Sequence, residues 1–168
     1  SKMIYYSKLK AYFLGCFVLF MVNIYGQEVN IDAIPTLLKK NAVYGSIGYL
    51  VYYGFYNINV ERTLWDTNGI ITNIRARLGG GEWARGGWGG SEGGTHFIGT
   101  LSALTGYRTF HFELNIGAVY LHDKINNKNF IYPASALGIR LQKPGEPYVF
   151  RFGIGFPEAI YLSLGIAF

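Results

Sequence analysis

Cysteine is almost absent from this chain: the only one among the 168 residues is Cys16, near the N-terminus. One cysteine forms neither an intramolecular disulfide nor a thiolate cluster around a metal, so neither can hold the fold together. Long apolar runs are also missing. Hydrophobic residues make up 50% of the chain, yet after residue 26 no stretch approaches the roughly 20 apolar residues that a membrane-spanning helix needs.

Charge is scarce as well. Charged residues account for 15% of the chain, and the net charge is +5. Three of the 15 basic residues, Lys2, Lys8 and Lys10, lie in the first ten positions, which leaves 12 basic residues against 10 acidic ones. No basic block remains that would act as a phosphate-binding stripe, so nucleic acid is not an expected partner.

Aromatic residues and glycine, by contrast, are abundant, with 14 Tyr, 12 Phe and 23 Gly. Aromatic and β-branched residues favour pleated strands, whereas glycine serves tight turns and bends. The composition therefore predicts an all-β protein, and the length leaves room for one domain.

The first 26 residues have the order of a signal peptide. Residues 1–10 carry three lysines, residues 11–22 are apolar, and Gly26 is a small residue just before Gln27. A membrane anchor fits less well because the apolar run is short and lacks a basic stop-transfer flank. A lipoprotein box at Cys16 also fits less well, because most of the apolar run follows the cysteine. We expect cleavage after Gly26 and a short periplasmic segment over residues 27–41.

From residue 42 to residue 168, apolar and polar residues alternate with a period of two, which predicts strands. Eight strands are expected, near residues 42–50, 55–65, 70–79, 95–105, 107–121, 129–142, 147–155 and 158–168. Most of these segments match the roughly 9 to 11 residues of a tilted transmembrane strand. The pattern therefore predicts an eight-stranded antiparallel up-and-down β-barrel over residues 42–168, with its apolar face towards lipid.

The connections between these strands predict the orientation of the barrel. Short turns are expected at residues 66–69, 105–106 and 143–147, on the side where both chain ends lie. The long connections at residues 80–94 and 122–129 fall on the opposite, extracellular side. The glycine-rich residues 79–94 are expected to form a flexible outer loop. Three side chains of that loop are candidate contacts for carbohydrate, lipopolysaccharide or a partner protein: Trp83, Arg85 and Trp88.

Several segments resemble a family of small outer-membrane barrels common in Bacteroidota. They are residues 40–45 (KNAVYG), 59–62 (NVER), 137–144 (LGIRLQKP), 150–153 (FRFG) and 164–168 (LGIAF). The resemblance implies an integral outer-membrane location, whereas the functions of the family members are mostly unassigned. Leu164, Ile166 and Phe168 resemble the C-terminal signal that the barrel assembly machinery recognises.

Within each predicted strand the polar residues share one parity, opposite to that of the apolar residues, and they should therefore point into the lumen. They are Asn57, Asn59, Glu61, Asn73, Arg75, Arg77, Thr100, Ser102, His111, Glu113, Asn115, Arg140, Gln142 and Arg151. A three-residue loop at residues 67–69 would set Asp66 opposite Ile70, Glu61 opposite Arg75 and Asn59 opposite Arg77. Either an anion-selective pore or a hydrogen-bonded plug fits these residues, and the narrow interior of an eight-stranded barrel favours the plug.

No catalytic or cofactor motif in the sequence outweighs its structural explanation. His111 and Glu113 share one strand face near Thr100 and Ser102, so an acid–base pair for lipid hydrolysis is one alternative. The lipid A deacylase type, however, uses a His-x-Ser pair on one strand, and no such pair occurs in this chain. His96 and His122 lie in or beside the expected outer connections without a second ligand at suitable spacing, so neither a metal nor a cofactor is expected.

Three functions remain open. The first is a barrel without enzymatic activity that supports the outer membrane or displays loops to an unidentified protein partner. The second is an outer-membrane lipid-modifying hydrolase, and the third is a porin-like channel for small solutes or anions. The expected surroundings in each case are outer-membrane lipid and lipopolysaccharide.

Overall fold

The computed structural model describes residues 37–67, 69–86, 92–106 and 108–168. The expected signal peptide and most of the expected periplasmic segment lie outside the described residues.

Eight strands follow one another: β1 (Asn41–Leu50), β2 (Tyr53–Asp66), β3 (Ile71–Arg85), β4 (Glu92–Thr105), β5 (Phe110–Asp123), β6 (Lys128–Leu141), β7 (Tyr148–Phe156) and β8 (Ala159–Ala167). Each pairs antiparallel with its neighbours, and β1 pairs with β8. The expected all-β, eight-stranded antiparallel barrel is confirmed. No helix in the described part is long and apolar enough to cross a membrane.

The strands follow the period of two that the sequence shows. Along β2, Asn57, Asn59 and Glu61 are buried, whereas the residues between them, Ile58 and Val60, are exposed. Successive side chains of a strand point to opposite faces, so this alternation places polar groups inside the barrel and apolar groups outside. The arrangement is the inverse of that in a soluble β-sandwich, whose apolar face is buried.

β1 begins at Asn41, so the barrel includes the last residue of the expected periplasmic segment. Of the residues just before it, Leu38 is buried. The backbone N–H of Thr63 donates to the Lys40 carbonyl at 2.7 Å, and Arg75 Nη2 donates to the Lys39 carbonyl at 3.0 Å. The segment that enters β1 is therefore fastened against β2 and β3.

The expected long outer loop at residues 80–94 is wrong, because strand structure occupies most of it. β3 continues to Arg85 and β4 starts at Glu92, which leaves residues 86–91 between them. Within these strands a Cβ on Gly81 would lie 1.9 Å from the Tyr56 carbonyl oxygen, and one on Gly94 would lie 1.7 Å from that of His122. The glycines permit neighbouring backbones to approach closely inside strands, a role that composition alone does not distinguish from that of a loop.

The second expected outer loop, at residues 122–129, is also shorter than predicted. β5 ends at Asp123 and β6 begins at Lys128. The Asp123 carboxylate accepts hydrogen bonds from the backbone N–H groups of Ile125, at 2.9 Å, and Asn126, at 3.3 Å. Asn127 has a positive φ of 49°. Asp and Asn favour such tight turns because they hydrogen-bond locally and tolerate positive φ.

The expected register between the second and third strands is wrong by two residues. Glu61 lies opposite Arg77 and Asn59 lies opposite Gly79. A β-bulge between Thr63 and Trp65 shifts the pairing further, so that Asp66 lies opposite Asn73. A bulge adds one unpaired residue to one strand, which the alternation of the sequence did not indicate. The parity is kept before the bulge, and the polar residues therefore still point inward.

The strands differ in length more than the sequence suggested. β2 to β6 have 14 or 15 residues, whereas β1 has 10 and β7 and β8 have 9 each. Only the part of β6 from Ser135 to Leu141 pairs with β7. The barrel wall is therefore higher along β2 to β6 than along β7, β8 and β1.

Candidate functional site

The interior of the barrel is the candidate site, since it concentrates the charged side chains of the strands. Ten residues of the expected lumen network are at most 6% exposed: Asn59, Glu61, Asn73, Arg75, Arg77, Thr100, His111, Glu113, Arg140 and Arg151. Asn57, Ser102, Asn115 and Gln142 are buried with them. A buried charge is costly unless it is paired and hydrogen-bonded, so the partners of each group decide what this interior does.

Glu61 on β2 receives donors from three sides of the lumen. Arg75 forms an ion pair with its carboxylate, and Arg140 Nη1 donates to Oε1 at 2.7 Å. The Tyr44 hydroxyl donates to Oε2 at 3.0 Å. The Glu61–Arg75 contact that the sequence suggested is therefore present, but it is diagonal across the two strands and not directly opposite.

Glu113 on β5 is the second carboxylate of this group. Arg151 Nε donates to its Oε2 at 3.0 Å, and Arg140 Nη1 lies 3.8 Å from the same oxygen. The guanidinium carbon of Arg151 also lies 4.5 Å from the centre of the Tyr44 ring, within cation–π distance. Arg140 therefore links two carboxylates, and we call Glu61, Arg75, Glu113, Arg140 and Arg151 the ion cluster.

Arg77 on β3 and Glu158 form a separate ion pair. It lies nearer the end of the barrel at which β1 ends. Arg77 Nη1 donates to Glu158 Oε2 at 3.1 Å, and Arg77 Nε donates to Asn59 Oδ1 at 2.8 Å. The Asn57 amide also donates to Glu158, at 3.3 Å. The interior thus pairs four arginines with three glutamates.

Glu158 is the functional residue that sequence reasoning missed. It lies in the two-residue turn between β7 and β8, where an acidic side chain is usually solvated, yet it is only 2% exposed. Gly48 is part of the reason, because a Cβ at that position would lie 1.9 Å from the Glu158 carbonyl oxygen. The predicted eighth strand began at Glu158, and the parity that this residue shares with Ile160 and Leu162 indicated the outer face, so the alternation contained no signal for its burial.

The charge state of Glu158 follows from its neighbours. Burial alone would raise the pKa of the Glu158 carboxyl group. The positive charges of Arg77 and Arg151, together with the hydrogen bonds from Arg77 and Asn57, outweigh burial and hold this pKa below its usual value. Glu158 is therefore ionised at neutral pH and balances the Arg77 guanidinium.

Two of the residues considered for hydrolysis, His111 and Ser102, are engaged elsewhere. His111 Nδ1 lies 3.1 Å from the Thr105 carbonyl and 3.0 Å from that of Gly106, and Nε2 lies 3.1 Å from the Gln142 carbonyl. The Ser102 hydroxyl lies 2.5 Å from Asn115 Oδ1. A nucleophile needs its base within hydrogen-bond reach, and His111 is directed at backbone carbonyls and not at the Ser102 hydroxyl.

His96 was expected in or beside an outer connection. It lies inside the barrel, on β4. It is 0% exposed, and its ring stacks on Phe55 with the ring centres 3.8 Å apart. Parity explains the position, since His96 shares the inward face of β4 with Thr100 and Ser102. Among the described residues, no group of three or more His, Cys, Asp or Glu side chains is arranged to hold a metal ion.

Trp83 and Arg85 lie on β3 and not in a loop, and Trp88 lies outside the described residues. Trp83 stacks on Tyr53, with the ring centres 6.2 Å apart, and packs against a cluster that contains Ile98. Arg85 is exposed and forms a 3.7 Å ion pair with Glu92 across the hairpin. Of the two, only Arg85 presents its side chain to solvent in the way a loop contact would.

The residues of the expected assembly signal, Leu164, Ile166 and Phe168, share the outward face at the end of the barrel where β1 begins. The backbone of Phe168 exchanges two hydrogen bonds with Asn41, at 2.9 Å and 3.0 Å. No protein-family model matches the chain, and no curated protein is significantly similar to it in sequence.

The arrangement is suited to rigidity. The side chains of Arg75, Arg140 and Arg151 are fully shielded from solvent, and each contacts a carboxylate. Ion pairs joined across several strands fix the relative positions of those strands, because displacing one partner leaves a buried charge without compensation. The interior ion pairs therefore act as a cross-brace, which here means that they hold separated strands of the barrel wall in fixed positions.

Proposed function

We propose that this chain is an integral outer-membrane β-barrel of a Gram-negative bacterium, exported by a signal peptide at residues 1–26. Its role in this proposal is non-enzymatic: it supports the membrane or displays its outer end to a partner protein. Outer-membrane lipid and lipopolysaccharide surround it. The barrel assembly machinery recognises the outward residues of β8 and inserts the barrel into the membrane.

The observation that carries the proposal is the inverted distribution of side chains. Large apolar residues are exposed around the whole barrel, while four arginines and three glutamates are buried inside it. Outward apolar residues more than half exposed occur on every strand, among them Ile47, Ile58, Leu78, Leu101, Ile116, Leu137, Ile154 and Ile160. In water an apolar surface of this extent would be a strong aggregation hazard, whereas in a bilayer it is the expected lipid-facing band.

The strand lengths support both the membrane location and the display of one end. β7 and β8, with 9 residues each, match the roughly 9 to 11 residues that cross a bilayer at a tilt. β2 to β6 are longer and project past them. Near the outer end of these strands, Glu82 forms an ion pair with Lys124 at 2.9 Å and accepts a hydrogen bond from the Tyr56 hydroxyl at 2.7 Å. Exposed charged groups of this kind fit an aqueous surface.

The packed interior favours a supporting or display role over conduction. A channel needs lumen charges in contact with water, but the side chain of Arg77 is 0% exposed and that of its partner Glu158 is 3% exposed. Side chains can fill the interior of an eight-stranded barrel, and here they join into a network of ion pairs.

Fractionation and gel mobility test the proposal together. Cells expressing the full chain should contain the protein in the outer-membrane fraction. The unboiled protein should also migrate differently from the boiled protein on SDS gels, because a closed barrel has no free edge from which to unravel. Recovery in the soluble fraction with identical mobility before and after boiling would refute the membrane proposal. Planar-bilayer recordings of the folded protein should show no conductance, and stepwise conductance would favour the channel.

A further inference from the structure

An open groove of about 420 Å³ lies on the outside of the barrel, near the end at which β1 begins. β1, β2 and β3 form its floor, and the Phe168 side chain lines one side. Most of its lining is apolar, with Val43, Val60 and Leu78 as the large side chains. The volume falls in the range of small-molecule sites, which is roughly 300 to 1,000 Å³.

Polarity changes along the groove in one direction. Towards the end of the barrel, Arg62 lies between its cross-strand neighbours Asn41 and Ala76. Two residues further from that end, Val60 lies between Val43 and Leu78. The groove is therefore basic at the barrel end and apolar towards the middle of the barrel.

The apolar half continues into open space. The next outward position on β1 is Gly45, where an added Cβ would meet no atom within 4 Å. Its cross-strand neighbours are Ile58 on β2 and Leu164 on β8, both exposed. Gly45 thus forms the floor of a shallow track between two apolar side chains, in line with Val43.

Arg62 has no acidic partner in the part of the chain that the structure describes. No carboxylate there lies within ion-pair distance of it, and Asp66, further along β2, accepts a hydrogen bond from Asn73. Arg62 nevertheless projects from a face whose neighbouring side chains are mostly apolar. A guanidinium binds phosphate strongly because its planar donors match two phosphate oxygens.

We propose that this groove binds one anionic phospholipid of the periplasmic leaflet, with the phosphate on Arg62 and an acyl chain along Val43, Val60 and Gly45. The proposal rests on the membrane location proposed above. The charge at the barrel end and the apolar track towards the middle match the order of headgroup and chain in that leaflet. The same order would not suit an extended peptide, whose polar backbone would have to lie along the apolar track.

Native mass spectrometry of the folded, detergent-solubilised protein tests the inference. Dimyristoyl phosphatidylglycerol is the probe, and dimyristoylglycerol, which has the same chains and no phosphate, is the matched ligand. We expect one molecule of the phospholipid to bind preferentially. Arg62→Gln should weaken that binding about tenfold, which corresponds to the loss of one charge-assisted contact, and Arg62→Lys should retain most of it. Arg108→Gln, at an exposed arginine in the turn between β4 and β5 and outside the groove, is the control and should change nothing.

The track is tested separately by Gly45→Leu, which fills open space. This change should weaken the binding of both lipids, whereas Arg62→Gln should weaken only the binding of the phospholipid. Every variant is first checked for a heat-dependent shift in gel mobility. Loss of that shift in the unchanged protein would refute the barrel proposal itself. A normal shift with equal phospholipid binding by wild type, Arg62→Gln and Gly45→Leu would overturn the groove assignment and leave the barrel proposal standing.

Discussion

Arg140 and Glu61 are 79 positions apart in the chain, yet the Arg140 guanidinium donates to Glu61 Oε1 at 2.7 Å. The two residues lie on β6 and β2, strands that are not neighbours in the closed sheet. Their contact therefore crosses the lumen and does not follow the wall. Backbone pairing holds each strand to its neighbours, and this side-chain contact holds two separated parts of the wall together.

The contact between Arg140 and Glu61 should be energetically coupled. Glu61→Ala leaves Arg75 and Arg140 short of a partner and should lower the free energy of unfolding by ~3 to 5 kcal/mol. In the double variant Glu61→Ala with Arg140→Ala, the loss should be smaller than the sum of the two single losses by ~0.5 to 3 kcal/mol. Urea unfolding of the protein in lipid vesicles measures all three changes.

The exposed pair Arg85 and Glu92 provides the control for this cycle. Its atoms are 3.7 Å apart, and its side chains are 72% and 45% exposed. Exposed ion pairs contribute little, so the Arg85→Ala and Glu92→Ala effects should simply add. Additive effects at Arg140 and Glu61 as well would contradict the cross-brace interpretation of the lumen.

Much of the fold was predictable from the sequence because strand parity is a local property. Alternation assigned inward positions to Glu61, Arg75 and Arg140 without knowledge of their partners. Register is different, since the bulge near Trp65 depends on how two strands and their turn fit together. Glu158 was missed for a related reason: the inward course of a turn is decided by packing, here against Gly48, and not by the period of two.

Acid should remove the contribution of Glu158 to stability. Its pKa in the folded protein lies below its usual value, which is about 4.3 in an unfolded chain. Ionised Glu158 therefore stabilises the folded state above that pH, and this contribution is lost as the pH falls through the lower folded-state value. The difference in unfolding free energy between wild type and Glu158→Gln should be constant from about pH 6 to about pH 8 and shrink below about pH 4.

Glu146→Gln, at an exposed glutamate between β6 and β7, is the matched control for this pH series. The same urea titrations are made at each pH. A wild-type advantage over Glu158→Gln that persists unchanged in strong acid would show that the Glu158 contribution does not depend on its charge.

Two glycines should respond oppositely to the same substitution. A Cβ on Gly81 would lie 1.9 Å from the Tyr56 carbonyl oxygen, whereas a Cβ on Gly45 would meet nothing within 4 Å. Gly81→Ala should therefore lower the free energy of unfolding by more than about 1 kcal/mol, and Gly45→Ala should leave it unchanged or raise it by ~0.4 to 1 kcal/mol. Equal effects in urea unfolding would mean that β2 and β3 are not as close at Gly81 as described.

A charge placed on the outer face separates a barrel in lipid from one in water. Ile116, in the middle of β5, is 59% exposed, and Ile125, in the turn after β5, is 60% exposed. In water Ile116→Arg and Ile125→Arg would be similarly harmless, because both side chains are already solvated. In a bilayer Ile116→Arg should cost ~2 to 4 kcal/mol, and Ile125→Arg, outside the strands, should cost close to nothing. Unfolding in vesicles gives both values, and outer-membrane levels should fall only for Ile116→Arg. Equal tolerance of the two substitutions would argue that this face of β5 does not meet lipid.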